Sequence, residues 1–180
     1  AIYYYDTSSS PNRAVLVSSL AGATSVPTTT TLTTISFPDR HVLALGTDPL
    51  SSSGNIDPMQ VRWSDQEDFA VWAPTVTNSA GDQRLEIGNK IVSATSSKDE
   101  TVIATDEALY GMTFVGPPFI FSFRLLATNC GSAGKNVMMT VDSTVFWMGR
   151  SNFFVYDGVV KELPCSVQHF VFERMQKDYI

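Results

Sequence analysis

The sequence is short of charge, of basic clusters and of metal-binding side chains, and each shortage closes off a class of function. Charged residues make up 17% of the 180, below the rough quarter usual in soluble proteins, and Ser and Thr fill much of the gap. With 43% hydrophobic residues, this is the balance of a β-rich domain with polar loops, not of a disordered tail. Lys and Arg number 12 against 18 Asp and Glu, for a net charge of −6. The basic residues stand singly (Arg13, Arg40, Arg62, Lys90, Arg124, Arg150). With no basic groove to grip phosphates, tight nucleic-acid binding is not expected. An acidic surface that DNA slides past is compatible with the composition. Two histidines, His41 and His169, and two cysteines, Cys130 and Cys165, occur without a CxxC pair. They cannot make a standard zinc set, and no metal or other cofactor is expected. The thiols are expected to be reduced and buried, in a protein assembled in the cytoplasm; a Cys130–Cys165 disulfide stays open. No apolar run reaches 18 residues, which predicts no membrane-spanning helix, and no secretory leader pattern opens the sequence. The first residues, Ala-Ile-Tyr-Tyr-Tyr, read as the inside of a strand, so a piece of a longer polypeptide is expected.

Catalytic patterns are missing too. Asp39 closely precedes His41 and serines abound, but no G-x-S-x-G elbow occurs. Acidic residues cluster at Asp65/Glu67/Asp68, at Asp99/Glu100 and at Asp106/Glu107. A glycosidase needs two carboxylates about 5–10 Å apart across a sugar. These clusters follow strand ends, where acidic residues usually solvate turns. There is no calcium loop, phosphate loop or dinucleotide fingerprint. Trp63, Trp72 and Trp147 are expected to pack between sheets, not to stack on carbohydrate. The chain is therefore expected not to be an enzyme.

What the sequence does hold is strands. Short β-branched or aromatic runs, bounded by Ser, Pro, Gly and Asp, fall at 2–5, 14–17, 32–37, 41–45, 60–63, 90–95, 101–105, 109–115, 119–126, 137–141, 144–148, 153–156 and 159–163. Residues 18–31 are Ser/Thr-rich and suit a loop or arm, and 47–58 read as a long hairpin loop. One helix is predicted over 166–175, from Val167, Phe170, Val171 and Arg174 after Pro164. Val61-Arg-Trp-Ser-Asp65 recurs as Val102-Ile-Ala-Thr-Asp106, 41 residues on, and as Val145-Phe-Trp-Met-Gly149, 43 residues after that. Each copy follows another apolar strand. Four antiparallel strands recurring every ~40–45 residues predict β-propeller blades, here a partial propeller. An ordinary β-sandwich is the rival fold. Residues 1–60 are expected to form an N-terminal β segment in the same or an adjoining sheet stack, and residues 61–180 the propeller-like blades. The strands at 61–65, 102–106 and 144–148 should be equivalent, and Trp63, Trp147, Phe146, Leu109 and Met139 largely buried.

A set of short motifs has a specific order and spacing. It comprises Arg62-Trp63-Ser64-Asp65, Trp72-x-Pro74, Thr105-Asp106-x-x-Leu109-Tyr110, Gly116-Pro117-Pro118, Asn129-Cys130-Gly131, Trp147-Met148-Gly149, and Tyr156-Asp157-Gly158 followed by Leu163-Pro164-Cys165. From about Val61 to Val171 the sequence resembles a family of bacteriophage virion proteins. These are the tail hub or nozzle proteins of short-tailed double-stranded DNA phages, also described as packaged-DNA stabilisation or tail tube proteins. The resemblance implies a propeller-containing, non-enzymatic subunit of the virion tail. It implies a homo-oligomeric ring next to portal-adaptor and other tail proteins, with genomic DNA passing through its lumen. Residues 1–60 carry none of these motifs. A propeller that binds a host glycan or protein is the second reading, and a propeller glycosidase the third.

Overall fold

The computed structural model describes residues 1–7, 13–98 and 100–174. Strands account for 46% and helix for 6%, so the chain is all-β. It divides into two compact units, residues 1–86 with 116–120, and residues 87–115 with 121–180.

The first unit contains a small hairpin, β1 (Tyr3–Tyr4) with β2 (Val15–Leu16), and a four-stranded antiparallel meander. The meander runs β3 (Thr30–Ile35), β4 (Val42–Thr47), β5 (Asp57–Trp63), β6 (Gly81–Arg84). Its two inner strands are buried on both faces, and Leu43, Ala44, Leu45 and Val61 are all fully buried. One face is covered by Val17, Val26 and Trp72 packed on Ala44. A division at 60/61 would cut through β5, so residues 1–60 and 61–86 share this sheet.

The second unit holds two more meanders of the same pattern. One is β7 (Ile91–Ser96), β8 (Thr101–Thr105), β9 (Ala108–Gly116), β10 (Ile120–Thr128). The other is β11 (Met138–Val141), β12 (Thr144–Met148), β13 (Phe153–Tyr156), β14 (Val160–Leu163). Their first strands lie side by side. Thr95 and Thr140 share a hydroxyl hydrogen bond of 3.0 Å, and the Ser93 hydroxyl donates to the Lys135 carbonyl at 2.9 Å. Between the sheets lies a core of Val102, Ala104 and Leu109 against Val145, Trp147, Phe154 and Tyr156. This is propeller-like blade stacking, in which each sheet covers a face its neighbour cannot cover alone. A short helix, α1 (Gln168–Arg174), follows.

The turns follow their sequences. The β11–β12 hairpin turns through Asp142 and Ser143, both at positive φ, as a two-residue primed turn requires. Gly158 (φ +106°) serves the β13–β14 hairpin, and Gly116 (φ +74°) ends β9 ahead of Pro117 and Pro118.

Three expectations need correction. Val61 lies on the third strand of its sheet, whereas Val102 and Val145 lie on second strands. The true counterpart in the first sheet is β4. A long β5–β6 connection stretches the first meander, so the 41-residue spacing matched the wrong strand. Met139 is 59% exposed because it sits on the outward face of β11, and Phe146, also outward-facing, is half-buried. Trp63, Trp147 and Leu109 are buried. Strand β6 carries no apolar alternation at all; Gly81-Asp-Gln-Arg84 becomes a strand by pairing with Trp63–Gln60.

Candidate functional site

Register identifies the position around which the motifs gather. The first strand pairs of the three meanders include Thr30 with Thr47, Ile91 with Thr105 and Met138 with Trp147. The next backbone N–H donates in each case to the residue before the first strand. Asp48 donates to Thr29, Asp106 to Lys90 and Met148 to Val137. Thr47-Asp48, Thr105-Asp106 and Trp147-Met148 are therefore equivalent. Asp106 was singled out by sequence; Asp48 was missed, although it repeats the same Thr-Asp pair.

Both aspartates use their carboxylates as turn clamps. Asp48 accepts backbone N–H groups from Thr28 (3.1 Å), Thr29 (3.1 Å) and Gly54 (3.0 Å), with the Thr28 hydroxyl at 3.0 Å. Asp106 accepts the backbone N–H of Asn89 at 2.7 Å and the Asn89 amide at 3.2 Å. Burial pushes both carboxyls upward, but these donors outweigh it and hold both below the ordinary carboxylate value.

In the second unit the motifs converge on the Asp106 turn. Cys130 donates its N–H to the Glu107 carbonyl (3.1 Å) and Ser132 to the Thr105 carbonyl (3.0 Å). A Cβ at Gly131 would lie 2.2 Å from the Asp106 backbone, so only glycine fits this close approach. The Trp147 indole N–H pins the same loop through the Cys130 carbonyl at 2.7 Å. Gly149 lies against the Phe154 ring, with 2.6 Å left for any added Cβ. Tyr110 accepts the Ile87 N–H at 2.8 Å. The Tyr156 hydroxyl donates to Glu100 at 2.6 Å and accepts from Arg124 at 3.3 Å. Beside the knot is a cavity of about 220 Å³, lined in part by Asp106, Asn129, Arg150, Asn152 and Phe154. Asp157 pairs with Lys161 on the surface at 2.9 Å, and Pro164 is exposed; neither joins the knot. Both cysteines carry free thiols: Cys130 is buried, with its pKa pushed up to about 11 by burial, and Cys165 is half-buried.

The other motif residues lie in the first unit. Trp63 donates its indole N–H to the Ser79 carbonyl (2.7 Å), and Trp72 to the Phe69 carbonyl (2.8 Å). Trp63, Trp72 and Trp147 are at most 5% exposed, so no indole face is presented for stacking. Pro74 is in an exposed loop. His41 is fully buried just before β4. Its Nε2 lies 2.9 Å from the Ser79 hydroxyl, which in turn donates to Asp65 at 2.7 Å. Three residue types of a hydrolytic triad thus meet, but in the wrong order. Ser79 has one proton and gives it to Asp65, so His41 donates to Ser79 and cannot act as its base. Asp65 also accepts the Ser79 and Gln66 N–H groups at 2.8 and 2.9 Å, and is held below the ordinary carboxylate value against the upward push of burial. His169 lies on the surface of α1 beside Glu173. Asp99 lies outside the described residues. Among the described residues no three His, Cys, Asp or Glu groups are placed to share a metal ion, and no helix is long and apolar enough to cross a membrane.

Arg62, in the sequence one isolated basic residue and the first letter of the Arg-Trp-Ser-Asp motif, has a buried role that the sequence does not announce. It is 2% exposed, donates to the Asp48 carbonyl (3.2 Å) and the Ser25 carbonyl, and lies 6.0 Å from the Trp72 ring. Its Nε has no hydrogen-bond partner among the described residues. One guanidinium thus ties the β4–β5 loop to the Ser/Thr-rich segment.

No protein-family model and no curated protein matches the sequence.

Proposed function

We propose that the chain is a structural subunit of a short phage tail, a hub or nozzle component working in a homo-oligomeric ring through which the genome passes. The observation that carries this reading is the fate of the motifs behind the resemblance. Asp106, Cys130, Gly131 and Trp147 meet through backbone contacts and an indole hydrogen bond, and Gly149 packs on the Phe154 ring that stacks on Trp147. Such groups set a shape and leave little free for chemistry. Asp65 and Asp106, the carboxylates a glycosidase would need, are taken up by local N–H donors. The three tryptophans, the natural sugar platforms, face inward. The glycan-binding and hydrolytic readings therefore draw no support from these residues.

In this reading the protein acts by assembly, in the tail of the virion, after folding in the host cytoplasm. The net charge of −6 suits a conduit, because a polyanion is repelled by acidic walls and held by basic ones. The portal-adaptor and other tail proteins are its neighbours. The test is deletion of the gene from its phage. Particles should still fill with DNA, then leak it or fail to eject it. Stable, infectious particles without the protein would refute the reading, as would hydrolytic activity in the purified chain.

A further inference from the structure

One motif stands apart from the others. Tyr156-Asp157-Gly158 runs into the β13–β14 turn, where register pairs Tyr156 with Val160 and leaves residues 157–159 to cross between the strands. All three crossing residues are exposed. Gly158 has a φ of +106°, and nothing lies within 4 Å of where a Cβ would be. Asp157 is the sole aspartate in the sequence followed by glycine, and no asparagine is. Glycine has no Cβ, so its backbone nitrogen is the least hindered in approaching the carboxyl of the residue before it. Asp48 and Asp57 precede prolines, which carry no N–H and are closed to the same approach.

The Asp157 carboxyl is held by a cation. Lys161 donates to its two oxygens at 3.0 and 2.9 Å. Both side chains are about half exposed, so the pair contributes little to stability. Its effect is on chemistry. A carboxylate has no hydroxyl to lose and is a poor target for a nitrogen, whereas the neutral acid is reactive. The Lys161 ammonium favours the ionised form, and it is the foremost cause that holds the Asp157 carboxyl below its ordinary value.

We propose that Asp157 is a site of spontaneous isoaspartate formation and that Lys161 is placed to slow it. The Gly158 nitrogen attacks Cγ of Asp157, the N–Cγ bond forms, and the carboxyl hydroxyl leaves as water with the amide proton. A water molecule then reopens the cyclic imide. Opening at Cγ restores aspartate. Opening at the Asp157 backbone carbonyl routes the chain through Cβ and Cγ and frees the α-carboxylate. Nothing is oxidised or reduced, and water is the sole co-reactant. The product lengthens the turn by one backbone carbon and moves the charge away from Lys161, which loosens β14 from β13. None of this depends on the tail reading.

The test is long incubation of the folded chain in warm neutral buffer, with isoaspartate detected by enzymatic methylation and placed by fragmentation mass spectrometry. Wild type should accumulate it first at 157, ahead of Asp142, which occupies the β11–β12 turn before a serine. Lys161→Gln should raise the rate at 157 about two- to fivefold, the scale on which an exposed ion pair biases one carboxyl, and leave 142 unchanged. Near-ultraviolet circular dichroism of the buried tryptophans checks that the variant keeps its fold. High salt screens the pair without any substitution, so it should speed the wild type and not the variant. Isoaspartate spread evenly over the aspartates would overturn the site. A rate at 157 that neither Lys161→Gln nor salt changes would overturn the role of Lys161.

Discussion

The first and third sheets share a meander and differ in what closes it. The first buries polar groups around its inner strands: His41, Thr47, Asp48, Gln60, Arg62 and Ser64 are all at most 5% exposed. The third buries Val145, Trp147, Phe154 and Tyr156. At the equivalent turn, Asp48 gathers three backbone N–H groups, whereas Trp147-Met148 offers an indole and a thioether. One backbone register can thus be held by a nest of directed hydrogen bonds or by aromatic bulk. The polar solution fails when one partner is removed, because the remaining buried groups are then unsatisfied. The aromatic solution fails when volume is removed.

The largest expected effect is on the aromatic side. Trp147→Ala should cost about 3–5 kcal/mol in denaturant unfolding, since it empties the core between the second and third sheets and frees the Cys130 loop. Next comes Asp48→Ala, which strands several donors at once and should cost roughly 2–3 kcal/mol. If it costs under about 0.5 kcal/mol, the level of an ordinary surface change, the clamp is not what holds the first sheet.

Acid sharpens the comparison further. Asp48, Asp65 and Asp106 are all held below their ordinary value of 3.8. Each therefore adds stability that is complete above that value and is lost as pH falls toward the lower, folded one. The thermal midpoint should drop as pH goes below about 4, and Asp48→Asn should drop less steeply. A midpoint flat from neutral pH through the acid range would contradict the clamps. The smallest effect is a contrast in thiol labelling. At mildly alkaline pH, Cys165 should react with a maleimide in the folded protein, while Cys130, buried and with its pKa near 11, should react only on unfolding.

Strand positions were legible because their signal is local. Runs such as Val102-Ile-Ala and Phe153-Phe-Val-Tyr156 announce themselves by β-branched and aromatic composition, and α1 by its 3.6-residue spacing. What stayed hidden depends on partners. Gly81–Arg84 is a strand only because β5 lies beside it. Arg62 is one isolated basic residue in the sequence, yet it is buried under Trp72 and tied to two carbonyls. Met139 reads as core by composition, but among the described residues its side of β11 meets no further sheet of the second unit. The repeat was visible and its phase was not. Two letters, Val and Asp, linked β5 to β8, while the conserved geometry is the Thr-Asp pair at the end of β4 and β8. Of the motif residues, Asp106, Cys130, Gly131 and Trp147 do form one cluster, with Gly149 reaching it through Phe154, but their roles as clamp, pin and close-approach glycine come only from the folded geometry.

The most direct test of the central claim is a reconstruction of the phage particle, with mass spectrometry of its proteins. The account predicts that the chain is found in the virion, in a ring below the portal, with the DNA path running through that ring. Absence of the chain from purified particles, or its presence only in infected-cell lysate, would contradict it.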